Sequence, residues 1–224
     1  MFENLFSQDS KFNRFMTKVM DLIILNVLWF VTSLPIITIG ASTTALFTVM
    51  QKFVDNEEAY IVKSYFGAFK SNFIQSTLIW IMLMGAKIIF IIDLMIMGRL
   101  NGTIDGLLHG AITGIITVLL LLLFLVIIYV FLMQSSYENK MGQTLLKSLV
   151  FSVAYFGHTF QIIGMILLPF GMSLMVGMLA GISWYACIIF YVIIGVSVTA
   201  YLVSFPWKTL RKKLKEKSLN VRNS

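Results

Sequence analysis

The chain has 224 residues, of which 58% are hydrophobic and 12% charged, with a net charge of +7. Soluble proteins average about 45–50% apolar and about 25% charged residues, so this composition excludes an ordinary soluble domain. The mean hydropathy of +0.90 agrees, and the positive charge reads as the cytoplasmic bias of a membrane protein rather than as a nucleic-acid surface.

Charge is absent from residues 22–51, 106–137 and 148–207. A crossing helix needs about 20 apolar residues, because about 1.5 Å of rise per residue must cover roughly 30 Å of hydrocarbon. Runs such as TVLLLLLFLVIIYVFLM do not alternate as the strands of a barrel do. The expected fold is therefore an all-α, polytopic transmembrane helical bundle. It comprises one transmembrane domain over residues 1–207 and a basic cytoplasmic tail over 208–224.

The N-terminus opens on an amphipathic interfacial helix. Phe12, Phe15, Met16 and Val19 recur at helical spacing, opposite Lys11, Arg14 and Lys18. About six membrane segments follow, at residues 20–34, 36–50, 73–97, 107–133, 149–172 and 179–205. The first two read as a short hairpin broken at Pro35, since proline interrupts the helical ladder and pushes Leu34 toward extended geometry. The hydroxyls of Thr38, Ser42, Thr43 and Thr44 are placed to satisfy the freed backbone. Folding back at Pro35 puts fifteen basic residues on one side against Arg99 alone, whereas a single kinked crossing leaves four outside. The positive-inside bias selects the hairpin, with both termini cytoplasmic.

Two further amphipathic stretches lie on the same face. One begins at Asp55 or Asn56, read as a helix cap, and carries Val62, Tyr65, Phe66, Phe69 and Phe73. The other, residues 141–150, sets Leu145, Leu146, Leu149 and Val150 together. A faint parallel repeat links MQKFVDNEEAYIVKS at Met50 with MQSSYENKMGQTLLKS at Met133.

Polar residues inside the spans are the candidate functional ones: Lys87, Asp93, Asn26 and Thr38. A charge near mid-bilayer costs at least ~2.5–3.5 kcal/mol on insertion scales. Lys87 thus either lines a polar path with an acidic partner on another helix, or snorkels outward or forms a structural ion pair. Asp93, six residues on, is about 240° around the helix and makes no same-face pair with it. Gly102, Gly106, Gly110 and Gly114 form a smooth stripe, read as close helix packing within the chain, with a homo-oligomer seam as the alternative.

His109, His158 and the single Cys187 have no neighbours at metal-ligand spacing. No nucleophile–base order or phosphate loop can be assembled either. No enzyme activity and no cofactor are expected. The bilayer is the expected environment, and the basic tail is a surface helix on anionic lipid or a docking site.

Asn26, Trp29, Leu34, Pro35, Thr38, Gly40, Thr44 and Ala45 form one motif, and Phe66, Phe69, Lys70, Asn72, Phe73 and Gln75 form a second. Together they resemble the YesL-like family of bacterial membrane proteins, a domain of unknown function often encoded beside ATP-driven sugar transporters. The resemblance implies a multi-pass protein of the bacterial cytoplasmic membrane with an accessory or regulatory role in carbohydrate uptake, partnered by a sugar transporter complex. It supplies no catalytic or ligand residues. A stand-alone permease using Lys87 and the Pro35 break is the second expectation. The transporter's own ATPase-docking loop is not matched: Tyr60 replaces an alanine, and Gly67 comes too far after Glu58.

Overall fold

A computed structural model describes residues 11–57, 60–100, 105–137, 139–181 and 183–223. These residues form an all-α bundle, built from α1 (Lys11–Ser33), a short 3-10 turn (Ile36–Thr38), α2 (Ile39–Val54), α3 (Ile61–Arg99), α4 (Gly106–Ser136), α5 (Met141–Ala154), α6 (Phe156–Leu179), α7 (Trp184–Phe190), a π-helical turn (Tyr191–Gly195) and α8 (Val196–Asn223).

The chain turns back at Pro35. Its backbone is extended, with φ −73° and ψ 106°, as a proline that ends one helix before another requires. The Trp29 indole N–H donates to Thr43 Oγ1 at 3.2 Å, and Leu25 clusters with Leu46. Both pairs are nearly equidistant from Pro35, so α1 and α2 are antiparallel. Thr38 Oγ1 lies 2.6 Å from the Thr32 carbonyl and 2.7 Å from that of Pro35, so its hydroxyl reaches a carbonyl that the end of α1 leaves without a helical partner.

α2 is the central element. Its buried residues include Gly40, Ala41, Ser42, Thr44, Ala45, Leu46, Val49, Met50, Gln51 and Val54, and it packs against α1, α3, α4 and α8. Small residues allow this. A Cβ on Gly40 would stand 2.4 Å from the Ser76 carbonyl oxygen and 2.7 Å from Trp80 Cβ. The α3 backbone therefore lies against α2 with no room for a methyl group, as is common where helices associate in lipid. Thr44 and Ser76 share a hydroxyl hydrogen bond of 3.0 Å across the contact.

The long helices exceed the sequence expectation. The amphipathic stretch after the hairpin and the third span are one helix, α3, of 39 residues, or about 58 Å. The Trp80 indole N–H donates to the Ile36 carbonyl at 2.9 Å, so the hairpin tip meets α3 midway. Beyond Trp80, α3 runs on for about 28 Å, paired with α4; His109 Nε2 donates to the Met97 carbonyl at 2.9 Å near the far end. Likewise the N-terminal amphipathic segment and the first span are continuous in α1. Asp55 and Asn56 close α2 rather than opening α3. Asn56 has φ 57°, its N–H bonds the Phe53 carbonyl, and the Glu57 N–H bonds the Lys52 carbonyl. That is a Schellman C-cap with asparagine in the left-handed position.

The later segments also shift. The break between the third amphipathic stretch and the fifth span falls at Tyr155, so α6 extends to Leu179, where the sequence reading began the sixth segment. α5 buries Thr144, Ser148 and Ser152, while Leu146, Leu149, Val150 and Val153 are exposed. Its hydroxyl face, at i, i+4 and i+8, is turned inward and its apolar face outward, the inverse of a soluble helix.

Among the described residues, four helices are long and apolar enough to cross a membrane: α1, α3, α4 and α6. α2, with 16 residues, is about 24 Å long and is the returning arm of the hairpin. The last expected segment is α7, the π turn and the start of α8 together.

Gly40→Ala should destabilise the detergent-solubilised protein by about 1–3 kcal/mol through overpacking, read as a lowered Tm. Gly85→Ala, where an added Cβ meets nothing within 4 Å, should change stability by no more than ~0.5 kcal/mol.

Candidate functional site

The C-terminal ends of α2 and α4, the start of α5 and the cationic half of α8 converge at one end of the bundle. Each element is brought there by a buried side chain. Trp207 of α8 is fully buried among Tyr129, Leu132, Met133 and Leu210, and its indole N–H donates to Ser136 Oγ at 2.8 Å. The Gln51 amide nitrogen donates to Ser135 Oγ at 2.6 Å, while its carbonyl oxygen accepts from Ser136 Oγ and from Arg211. One glutamine thus ties α2 to both α4 and α8.

The second glutamine works in parallel. The Gln134 carbonyl oxygen accepts from Gln75 and Thr144, and its nitrogen donates to Asn72 Oδ1 at 3.0 Å. It joins α4 to α3 and α5. Gln51 and Gln134 are the glutamines of the two Met-Gln pairs of the faint repeat. Both follow a buried methionine at the end of a helix running toward this face.

On this scaffold Asp55, presented by the C-cap of α2, pairs with Lys208 at 3.3 Å and with Arg211. Lys208 also donates to the Val54 carbonyl at 2.7 Å. Lys147 of α5 donates to Asn139 Oδ1 at 2.7 Å. These groups line a pocket of about 920 Å³ whose wall contains Met133, Tyr137, Phe151 and Leu214 and whose cations are Lys147, Lys208, Arg211 and Lys212. Among the described lining residues, four positive charges face one carboxylate. Burial pushes the Tyr137 hydroxyl above its ordinary range, with Arg211 acting in the opposite sense, so the phenol is a neutral donor at physiological pH.

Beside it, a polar hollow of about 740 Å³ includes Asn72, Gln75, Gln134, Ser135, Tyr137 and Asn139 in its lining. Among the described residues, no group of three or more His, Cys, Asp or Glu gathers to hold a metal.

The residues singled out from the sequence lie mostly elsewhere. Asn26 is buried and bridges α1 to the end of the bundle's broken helix. Its amide nitrogen donates to the Val192 carbonyl at 2.9 Å, and its oxygen accepts from the Ser197 N–H and Oγ, both at 2.9 Å. It satisfies backbone that the π turn sets out of register. Trp29, Pro35, Thr38 and Gly40 build the hairpin described above. Phe69 stacks on Tyr65 at 6.4 Å and meets Phe73 edge-on at 5.4 Å. Lys70 is exposed. Of the motif residues, Asn72 and Gln75 line the hollow.

Lys87 is exposed. It borders a groove of about 310 Å³ between α3 and α4 whose other lining residues, apart from Thr117, are apolar, Leu121 and Phe124 among them. Asp93 is half-buried, and neither residue joins an ion pair among the described residues. No acidic partner for a Lys87 path is therefore found among the described residues. The glycine stripe is not an internal seam. A Cβ on Gly106, Gly110 or Gly114 would meet nothing within 4 Å, because α3 packs on another face of α4; Gly102 lies outside the described residues. Sequence reasoning missed Gln51, Asp55, Gln134 and Trp207 as organisers, although the Met-Gln repeat was the available signal for the two glutamines.

Residues 22–94 match the model of a family described as a protein of unknown function, DUF624. The match spans α1 from its second half, the hairpin and most of α3, about a third of the chain. No curated protein and no solved structure matches the chain.

Asn26→Leu should cost about 1–3 kcal/mol for each buried partner left unpaired, measured as loss of thermal stability in detergent. Asp55→Asn keeps the shape but removes the counter-charge of Lys208 and Arg211. With the Asp55 side chain 24% exposed, a cost of about 1 kcal/mol is expected, and the difference from the unaltered protein should shrink as salt is raised.

Proposed function

We propose that this chain is a non-enzymatic accessory protein of the bacterial cytoplasmic membrane, with both termini and the basic end in the cytoplasm, and that the basic end docks onto a carbohydrate-uptake transporter. The observation that carries this reading is the gathering of Lys147, Lys208, Arg211 and Lys212 around one open pocket. The chain's connections deliver their positive charge to that end, which the positive-inside bias assigns to the cytoplasm. The carbohydrate-uptake partner comes from the YesL-like resemblance, carried by residues such as Trp29, Pro35 and Asn72.

The permease alternative has less behind it. At the Pro35 break the carbonyls of Ile36, Thr32 and Pro35 are bonded by Trp80 and Thr38, and the described residues lining the groove beside Lys87 are apolar apart from Thr117. Uptake in proteoliposomes that is abolished by Lys87→Leu would restore it.

Orientation is tested first. In a Cys187→Ser background, a membrane-impermeant maleimide should label Asn56→Cys only after the membrane is opened, and Arg99→Cys in intact cells; the reverse pattern inverts the assignment. A photo-crosslinker at Lys212 should then capture a subunit of a sugar transporter in native membranes. Recovery of nothing but copies of this chain would count against the docking role.

A further inference from the structure

The pocket between α5 and α8 has the composition of a site for a specific class of ligand. Its cations differ in how far they are already engaged. Lys208 is held by Asp55 and the Val54 carbonyl. Arg211 commits one nitrogen to Gln51 and another to Asp55, which leaves donors of its five N–H groups free. Among the described residues Lys147 bonds only a neutral amide oxygen, that of Asn139. Lys212 is exposed and has no hydrogen-bond or ion-pair partner among the described residues. Among the described lining residues one carboxylate therefore serves four positive charges, three of them carried within five consecutive residues of α8 and the fourth opposing them from α5. An anion placed among them would relieve their mutual repulsion.

Size and lining narrow the choice. A cavity of about 920 Å³ is far larger than a simple ion needs, and Met133, Phe151 and Leu214 give it an apolar wall. Arg211 offers the planar fork suited to phosphate oxygens, and the lysines add point charges. Tyr137 contributes a hydroxyl on the same wall. The pocket also sits where a membrane boundary belongs: α4, of crossing length, ends at Ser136, and α6, of crossing length, begins at Phe156. Between them the outward face of α5 exposes Leu146, Leu149, Val150 and Val153.

We infer that this pocket binds a phosphate ester, with Arg211, Lys147 and Lys212 on the phosphate and Met133, Phe151 and Leu214 against its organic part. The chemistry is shared by the headgroup of an anionic phospholipid and by a free organic phosphate. The inference rests on the cytoplasmic-end reading above only for the leaflet or compartment that supplies the ligand. Binding itself does not depend on that orientation.

The test uses the full chain in detergent after removal of bound lipid. Phosphatidylglycerol, phosphatidylcholine, glycerol 3-phosphate and inorganic phosphate are added separately, and binding is read by native mass spectrometry and thermal shift. Phosphatidylglycerol should be retained over phosphatidylcholine. Lys147→Gln/Lys212→Gln should weaken that retention by roughly five-fold for each cation lost. Lys18→Gln/Lys63→Gln removes the same charge from exposed positions outside the pocket and should leave it unchanged. Protection by glycerol 3-phosphate or inorganic phosphate, lost in the Lys147/Lys212 variant, identifies a soluble phosphate as the source. Retention of the lipid alone identifies the headgroup. Equal loss in both double variants, or no phosphate-dependent retention at all, overturns the site. Crosslinking from Lys212 reports on the docking role separately, so that role and the phosphate site can fail independently.

Discussion

The structure depends on how closely α3 can lie against α2. At Gly40 the two backbones approach until a single methyl group would collide with the Ser76 carbonyl and Trp80. A membrane helix gains little by burying leucine against leucine, since lipid tails are as apolar as the side chains they replace. What it gains is van der Waals contact over a smooth surface, plus the hydrogen bonds that close approach permits. The run Gly-Ala-Ser-Thr-Thr-Ala supplies both, because Thr44 reaches Ser76 once the backbones have met. With α2 held there, α1, α4 and α8 have a surface to pack on.

The same logic explains the distribution of polar groups. The fully buried polar residues include Ser42, Thr44, Ser76, Thr144, Ser148, Ser152, Thr159, Ser197 and Ser204, short hydroxyls that can bond a carbonyl of their own helix. Ser42, Thr44, Ser148 and Ser204 each do so four residues back. These four bring little bulk and no unmet donor into the bundle. The larger amides have specific duties. Asn26 mends the backbone at the π turn, and Gln51 and Gln134 fasten the ends of α2 and α4 to their neighbours.

Charge is treated differently. Asp55 meets Lys208 and Arg211 at the end of the bundle, where water can solvate whatever pairing leaves over. The excess of cations over carboxylates among the described pocket residues is tolerable there and would be prohibitive at the level of Gly40. It gives that end a basic character, beside an apolar wall formed by Met133 of α4, Phe151 of α5 and Leu214 of α8.

The sequence alone determined that the chain is an all-helical membrane bundle, because long uncharged runs permit no other way to satisfy backbone in lipid. It also determined the reversal at Pro35, since proline acts on its immediate neighbours and the charge bias on either side points the same way. Tertiary structure decided which polar residues matter together. Lys87, conspicuous in one dimension, faces an apolar groove, whereas Gln51, Asp55 and Arg211, ordinary in the sequence, meet across 160 residues. It also decided that the glycine stripe of α4 faces away from the bundle and that α5 turns its hydroxyls inward. Periodicity locates a face on a helix; only the neighbours that helix acquires determine whether the face meets protein or lipid.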